Sequence, residues 1–123
     1  MAFWKHLTCT SKEDVDLFSE LDPLLEELWG YLRHLADLKS VWPRLTEKQR
    51  SDIDSSAVHR DRFHEKNAER LVEEIRTRAS RIRAHRHTPL KNRIIEFLDN
   101  WRDQEPDMLK VIQAMMTRGD EKD

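Results

Sequence analysis

The apolar residues between Leu21 and Trp42 recur at alternating spacings of three and four, and no other feature constrains the fold as strongly. Such a repeat places them along one side of an α-helix. A second apolar row lies beside the first, so the apolar face is too wide for a single neighbour. The two rows are Leu21, Leu24, Leu28, Tyr31, Leu35, Leu38 and Trp42, and Leu25, Trp29, Leu32 and Ala36. We therefore expect a helix over 22–42 that packs against several others.

Helical periodicity continues through the rest of the chain. With only two Gly and four Pro in 123 residues, a sheet with many tight turns is disfavoured. The sequence thus predicts an all-α fold, a compact bundle of about five helices with two long ones, 22–42 and 57–86, as its frame. Shorter helices are expected over 11–21, from 46 to 53, from 88 to 101 and from 105 to 118.

The predicted helix boundaries follow from capping chemistry. Side chains that cap a helix, or Pro in its first turn, indicate a start, and Gly just beyond the last turn indicates an end. Expected starts are the capping box at Thr10, Asp22-Pro23, the capping box at Thr46, Thr88-Pro89 and Glu105-Pro106, and Gly119 is the expected final stop.

The length of the chain indicates one domain over residues 1–123, with an N-terminal arm at 1–9 and a frayed tail at 119–123. The lone Cys9 cannot form an internal disulfide, which favours a reducing compartment. No apolar run approaches the ~20 residues that span a bilayer, and the N-terminus lacks the apolar core of a secretory signal. We expect an intracellular protein, cytoplasmic or nuclear, with no membrane partner.

Charge is divided unevenly along the chain, although the whole is close to neutral. Residues 11–37 hold eight acids and two bases, a net charge of −6, whereas residues 59–93 hold eleven bases and five acids, a net charge of +6. The densest group, here called the cation cluster, comprises Arg76, Arg78, Arg81, Arg83, Arg86, Lys91 and Arg93. Seven cations in eighteen residues repel one another unless an anion lies nearby.

Three interpretations of the cation cluster are compatible with the sequence: a solvated or internally paired face, a nucleic-acid interface and an interface for an acidic protein. The planar guanidinium of Arg fits phosphate and carboxylate alike. We favour a non-enzymatic nucleic-acid-binding module that grips the phosphate backbone, with RNA favoured over DNA because no recognition-helix motif is present. The alternative is a protein–protein interaction module, an adaptor, inhibitor or assembly subunit. Carboxylates of the same molecule placed against most of the cluster would exclude phosphate binding.

A partner-binding surface is predicted on the long apolar helix. Helix 22–42 carries more apolar surface than a small monomer needs, so a homodimer or a place in a larger complex is expected. Trp4, in an arm with little to pack against, and Tyr31, Leu38 and Trp42 are the predicted contact residues.

The sequence indicates no cofactor, no metal site and no catalytic residues. It contains no Glu-x-x-His element of the kind that helical metal sites use, and no Gly-rich phosphate loop. The spacings of Arg78 to His85 and of Arg81 to His87 resemble the Arg-His motif of HEPN ribonucleases. In a segment so rich in Arg and His this spacing is expected by chance, and Ala79 and Ile82 stand where that family usually has a polar residue. We assign no enzymatic activity.

Overall fold

A computed structural model describes the backbone of residues 2–56 and 65–121 and the side chains of residues 12–56 and 65–117. This part of the chain is helical without strands, which confirms the predicted all-α fold. The helices are α1 (Ala2–Val41), α2 (Glu47–Ser55), α3 (Glu65–Ala79), α4 (Thr88–Asp99) and α5 (Met108–Glu121). Single 3-10 turns lie at Trp42–Arg44, His85–His87 and Trp101–Asp103.

Four of these helices form a bundle. α1 packs against α3 and α5, and α4 packs against the same two helices. Polar contacts between α1 and α5 show that the two run antiparallel, because Trp29 Nε1 donates to Asp107 while Gln113 donates to Asp22. α3 also runs antiparallel to α1, because Arg70 pairs with Glu27 and Arg78 pairs with Glu20. The four helices alternate up and down, with short connections from α3 to α4 and from α4 to α5, whereas residues 42–64 separate α1 from α3.

The core lies where the apolar faces of these four helices meet. Leu21, Leu25 and Leu28 of α1 are completely buried there. Burial of each such side chain contributes about 1.5–3 kcal/mol. The buried residues of the other helices are Ala68, Leu71, Val72, Ile75, Ala79, Leu90, Ile94, Phe97, Leu98, Leu109, Ile112 and Met116. α2 contributes no buried residue.

α1 is continuous through Pro23, so the predicted division into helices 11–21 and 22–42 is wrong. Proline inside a helix removes one backbone hydrogen bond and costs roughly 3 kcal/mol. Leu21 before Pro23, and Leu25 and Leu28 after it, are all completely buried in the same core. They share one buried face because the helix continues through Pro23. Their combined burial outweighs the local cost, so the tertiary core overrides the break signal.

The predicted helix 57–86 is also different in the structure. Residues 57–64 lie outside the described part of the chain, and α3 ends at Ala79. The five arginines of the cation cluster between 76 and 86 therefore do not share one long helix, contrary to the prediction.

Local cap signals were correct at Thr46 but wrong at Thr10, Pro23, Thr88 and Gly119, and α5 begins at Met108 instead of after Glu105. Thr46 forms the predicted capping box, because its Oγ1 accepts from Gln49 N at 3.1 Å and its N–H donates to Gln49 Oε1 at 2.8 Å. At the start of α4 the cap position belongs to His87 instead of Thr88. α5 continues through Gly119, which therefore does not act as a stop.

Candidate nucleic-acid interface

Residues 80–87, here called the Arg loop, connect α3 to α4 and alternate between buried and exposed side chains. Ile82, Ala84 and His87 are 4%, 8% and 5% exposed. These three residues attach the loop to the bundle. The side chains that project outward into solvent are Arg81, Arg83, His85 and Arg86. Hence all the outward side chains between Arg81 and Arg86 are basic.

A buried carboxylate holds the Arg loop in place. Asp14 of α1 is completely buried and accepts hydrogen bonds from the backbone N–H groups of Arg83, at 3.0 Å, and Ala84, at 2.9 Å. Its Oδ2 also lies 2.7 Å from Nδ1 of His87. A buried carboxylate is tolerated only when it is fully hydrogen-bonded. The two backbone N–H groups and the His87 ring meet this requirement, and they fix the path of the loop backbone.

The same contacts explain why α3 ends early. In a continuing helix the N–H groups of Arg83 and Ala84 would donate to the carbonyls of Ala79 and Ser80, four residues back. Asp14 accepts from both N–H groups instead. The backbone therefore loses two helical hydrogen bonds and gains two charge-assisted ones, which are the stronger kind.

His87 completes the buried contact and is inaccessible to a substrate. Its ring packs edge-on against Phe18, with the ring centroids 4.9 Å apart. Its Nε2 is buried and has no hydrogen-bond partner. An Asp–His pair can orient a general base, but catalysis also needs the second nitrogen to reach the reacting group. The Asp14–His87 geometry is therefore that of a structural anchor for the loop.

The structure brings the seven members of the cation cluster to one end of the bundle. Arg76 and Arg78 lie in the last turn of α3, three further members lie on the Arg loop, and Lys91 and Arg93 lie near the start of α4. α3, the Arg loop and α4 form a hairpin, and the seven cations surround the point where the chain reverses direction.

Within the described part of the chain, carboxylates pair with Arg76, Arg78 and Arg83 of the cation cluster. The pairs are Arg76–Asp99 at 3.0 Å, Arg78–Glu20 at 3.9 Å and Arg83–Glu13 at 3.9 Å. Two of these distances are close to the limit for an ion pair, and all three acids are at least half exposed. Exposed pairs of this kind contribute about 0–1 kcal/mol. They are weak enough to exchange for another anion.

Two members of the cluster, Arg81 and Arg93, form no ion pair with any described residue. Within the described part of the chain, no carboxylate lies within 4.0 Å of the exposed side chains of Arg81 and Arg93. Lys91 is directed toward the loop, where its Nζ donates to the carbonyl of Ile82 at 3.5 Å. Arg81 and Arg93 are therefore available to a phosphate within the described part of the chain.

The predicted partner-binding residues fall in different places. Tyr31 lies in the core, 5% exposed, with its ring 6.3 Å from that of Trp101. It is thus not part of the surface on which the sequence analysis put it, and burial raises the pKa of its hydroxyl. Leu38 and Trp42 are half-buried beside an open cleft at the far end of α1. The side chain of Trp4 lies outside the described residues.

The residue that sequence reasoning missed is Asp14. It was counted as one of eight acids that give the N-terminal half its negative charge. A signal was present, because Asp14 precedes Phe18, Leu21 and Leu25 at spacings of four, three and four. An acid in the register of a buried stripe requires a polar partner. The sequence does not say which segment provides it.

Comparisons with protein-family models, with curated proteins and with solved structures find no match for this chain. Among the described residues, no three His, Cys, Asp or Glu side chains are grouped closely enough to hold a metal ion. In the same part of the chain, no helix is both long and apolar enough to cross a membrane. The chemistry of the cation cluster must be interpreted from its own geometry.

Proposed function

We propose that this protein is a non-enzymatic module that binds the phosphate backbone of nucleic acid, with RNA favoured over DNA, through the Arg loop and the adjoining ends of α3 and α4. The observation that carries the proposal is the anchored loop. The outward side chains between Arg81 and Arg86 are three arginines and one histidine, and the backbone beneath them is fixed by Asp14.

Anchoring favours binding because it reduces the entropy that is lost on association. Ordering the backbone of one residue costs about 1–2 kcal/mol. In this structure the hydrogen bonds to Asp14 and the burial of Ile82 and His87 order the loop before any ligand arrives. Only the exposed arginine side chains then lose freedom when they bind.

The weak pairing of Arg78 and Arg83 with carboxylates also favours phosphate binding, because a phosphate can replace those carboxylates. Glu13 and Glu20, both more than half exposed, approach Arg83 and Arg78 only to 3.9 Å. A phosphate oxygen pair can accept two parallel hydrogen bonds from one guanidinium. Glu13 and Glu20 reduce the repulsion among the arginines in the free protein. When a polyanion binds, its phosphates replace these carboxylates as the partners of the arginines.

Backbone recognition is supported over base recognition by the shape of the site. The cations lie around a helix–loop–helix corner, without a projecting helix whose side chains would enter a major groove. Duplex RNA is recognised largely by shape and by backbone contacts. Each neutralised phosphate contributes about one unit to the salt dependence of binding.

Fluorescence anisotropy with a labelled duplex RNA of mixed sequence, at salt concentrations from ~50 to ~200 mM, tests the proposal. The site variant is Arg81→Glu/Arg83→Glu, and the control is Arg44→Glu/Lys48→Glu, exposed residues distant from the Arg loop. Both double variants change the net charge equally. We expect the site variant to bind at least about tenfold more weakly with a salt slope smaller by about two units, and the control to bind like the wild type.

Two results would overturn the proposal. One is the absence of wild-type binding at the lowest salt concentration, where phosphate contacts are strongest. The other is equal weakening by both variants, which would mean that net charge alone determines binding. Circular dichroism distinguishes a third case, in which the site variant unfolds because Arg83 stabilises the acidic half of the molecule. Either of the two overturning results would favour the protein–protein interaction module.

A further inference from the structure

At the end of the molecule opposite the Arg loop, α2 has no buried residue of its own. It is nine residues long, and none of its side chains reaches the core. Helices shorter than about 12–15 residues are marginal in water without tertiary packing. A second surface is therefore needed to stabilise α2.

An open cleft separates α2 from the end of α1. It has a volume of about 400 Å³ and is lined by Leu35, Leu38, Lys39, Trp42 and Asp54. Arg50 fixes the angle between its walls, because its Nε donates to the carbonyl of Trp42 at 3.0 Å and its guanidinium lies 5.7 Å from the indole ring. The cleft is thus a defined feature with apolar walls and one charge of each sign at its edge.

In the wall formed by α1, only Leu35 packs against the edge of the core, and the part from Leu38 onward extends beyond it. The last buried residue of α1 is Leu32, and the helix continues to Val41, roughly 14 Å further at 1.5 Å per residue. Val41 is 41% exposed, and Leu35 and Leu38 are only half-buried. This extension exposes apolar surface that no described element covers.

The net charge of residues 33–54 indicates which kind of partner fits the cleft. Residues 33–54 carry five bases and four acids, a net charge of +1, compared with −6 for residues 11–37 and +6 for residues 59–93. A strongly acidic or basic partner would gain little here. A second copy of the same surface would meet it without net repulsion, with opposite charges available on both sides.

We infer that this cleft is the interface of a homodimer in which two copies pair about a two-fold axis. Such an interface uses the same patch on both chains. The apolar residues Leu38 and Trp42 of each copy occupy the cleft of the other, and Lys39 of one copy faces Asp54 of the other. Asp14 lies 24 residues before Leu38 on α1, ~36 Å away, so both Arg loops remain exposed. The inference does not depend on what the Arg loop binds.

Sedimentation equilibrium of the full chain tests the dimer, with Leu38→Glu as the interface variant and Val111→Glu as the control. Val111 lies on α5 and is 42% exposed, so the same substitution there changes charge and apolar exposure without touching the cleft. We expect a wild-type dimer, a dissociation constant at least about tenfold larger for Leu38→Glu, and no change for Val111→Glu.

A charge-exchange experiment distinguishes contacts between copies from contacts within one copy. Lys39→Glu alone and Asp54→Lys alone each place like charges opposite one another in the dimer, so each should weaken it. A 1:1 mixture of the two variants restores opposite charges at both positions, and the mixture should therefore dimerise. An effect confined to one chain would not be repaired by mixing.

The inference is overturned if the wild type is monomeric at all concentrations, or if it dimerises and Leu38→Glu leaves the dimer unchanged. It is also overturned if the mixture of charge variants associates no better than either variant alone. Circular dichroism of each variant verifies that the bundle remains folded, as expected for substitutions outside the core.

Discussion

Asp14 determines where the most basic segment of this protein lies. Its carboxylate accepts two backbone N–H groups and contacts His87, in a position without access to solvent. A charge in such a place is tolerated because every part of it is paired, and removal of the charge would leave its partners unpaired. The fixed conformation of the Arg loop therefore depends on Asp14, which lies sixty-six positions before Ser80, the first residue of the loop.

Asp14→Ala should lower the free energy of unfolding by about 2–6 kcal/mol, because the N–H groups of Arg83 and Ala84 lose their buried acceptor at about 1–3 kcal/mol each. Urea denaturation followed by circular dichroism measures this change. Asp16→Ala, an exposed acid two residues away, is the control and should change stability by less than about 0.5 kcal/mol. Equal effects of the two substitutions would show that Asp14 does not anchor the loop.

Glu26 provides a second test at the scale of single residues. A hydrogen bond from Lys110 is the main cause that lowers the pKa of Glu26 below its ordinary value of 4.5, and Gln113 adds to it. The ammonium of Lys110 also lies 4.2 Å from the centroid of the Trp29 ring. Because the folded pKa is lowered, the interaction stabilises the fold above the unfolded pKa and is lost as pH falls through the folded value.

Lys110→Met should therefore raise the pKa of Glu26 toward 4.5 and reduce the loss of stability in acid. NMR titration of the Glu26 carboxyl carbon gives the pKa directly. Both side chains are about half exposed, so the stability at pH 7 should change by less than about 1 kcal/mol. Gln113→Ala should produce a smaller rise, and a pKa unaffected by Lys110→Met would contradict the assigned cause.

Among the helices, α1 shows what sequence patterns predict and where they fail. The alternating spacing identified Leu21, Leu25 and Leu28 correctly, because periodicity reports which residues share a face. The break predicted at Pro23 was wrong, because cap signals describe local preference while continuity depends on the core on either side. The end of α3 at Ala79 was missed for a similar reason, since the competing acceptor belongs to another helix.

Pro23→Ala should raise the free energy of unfolding by about 1–3 kcal/mol, because it restores a backbone hydrogen bond and removes a steric conflict inside α1. Thermal and urea denaturation measure the change. Gly30→Ala is a useful comparison in the same helix, since an added Cβ there has no neighbour within 4 Å. It should stabilise by about 0.5–1 kcal/mol. No gain for Pro23→Ala would indicate that the helix is interrupted there.

At the scale of the whole molecule, the two ends of the bundle differ in charge and in chemistry. The Arg loop and the surrounding cations occupy one end, and the nearly neutral apolar cleft between α1 and α2 occupies the other. Charge counts along the sequence predicted the segregation but not the geometry, because pairing of Arg78 with Glu20 requires α1 and α3 to be adjacent. Likewise, the apolar repeat of helix 22–42 indicated excess apolar surface but placed Tyr31 on it, because burial depends on neighbours that only the fold provides.

The most direct test of the anchored Arg loop as a phosphate-binding surface is an NMR titration of the ¹⁵N-labelled protein with a short RNA duplex at low salt. We predict the largest amide shifts in residues 76–93 and in the facing segment 12–20 of α1, with little change in residues 33–54. Shifts concentrated in residues 33–54, or no shifts at all at an RNA excess, would contradict the proposed interface.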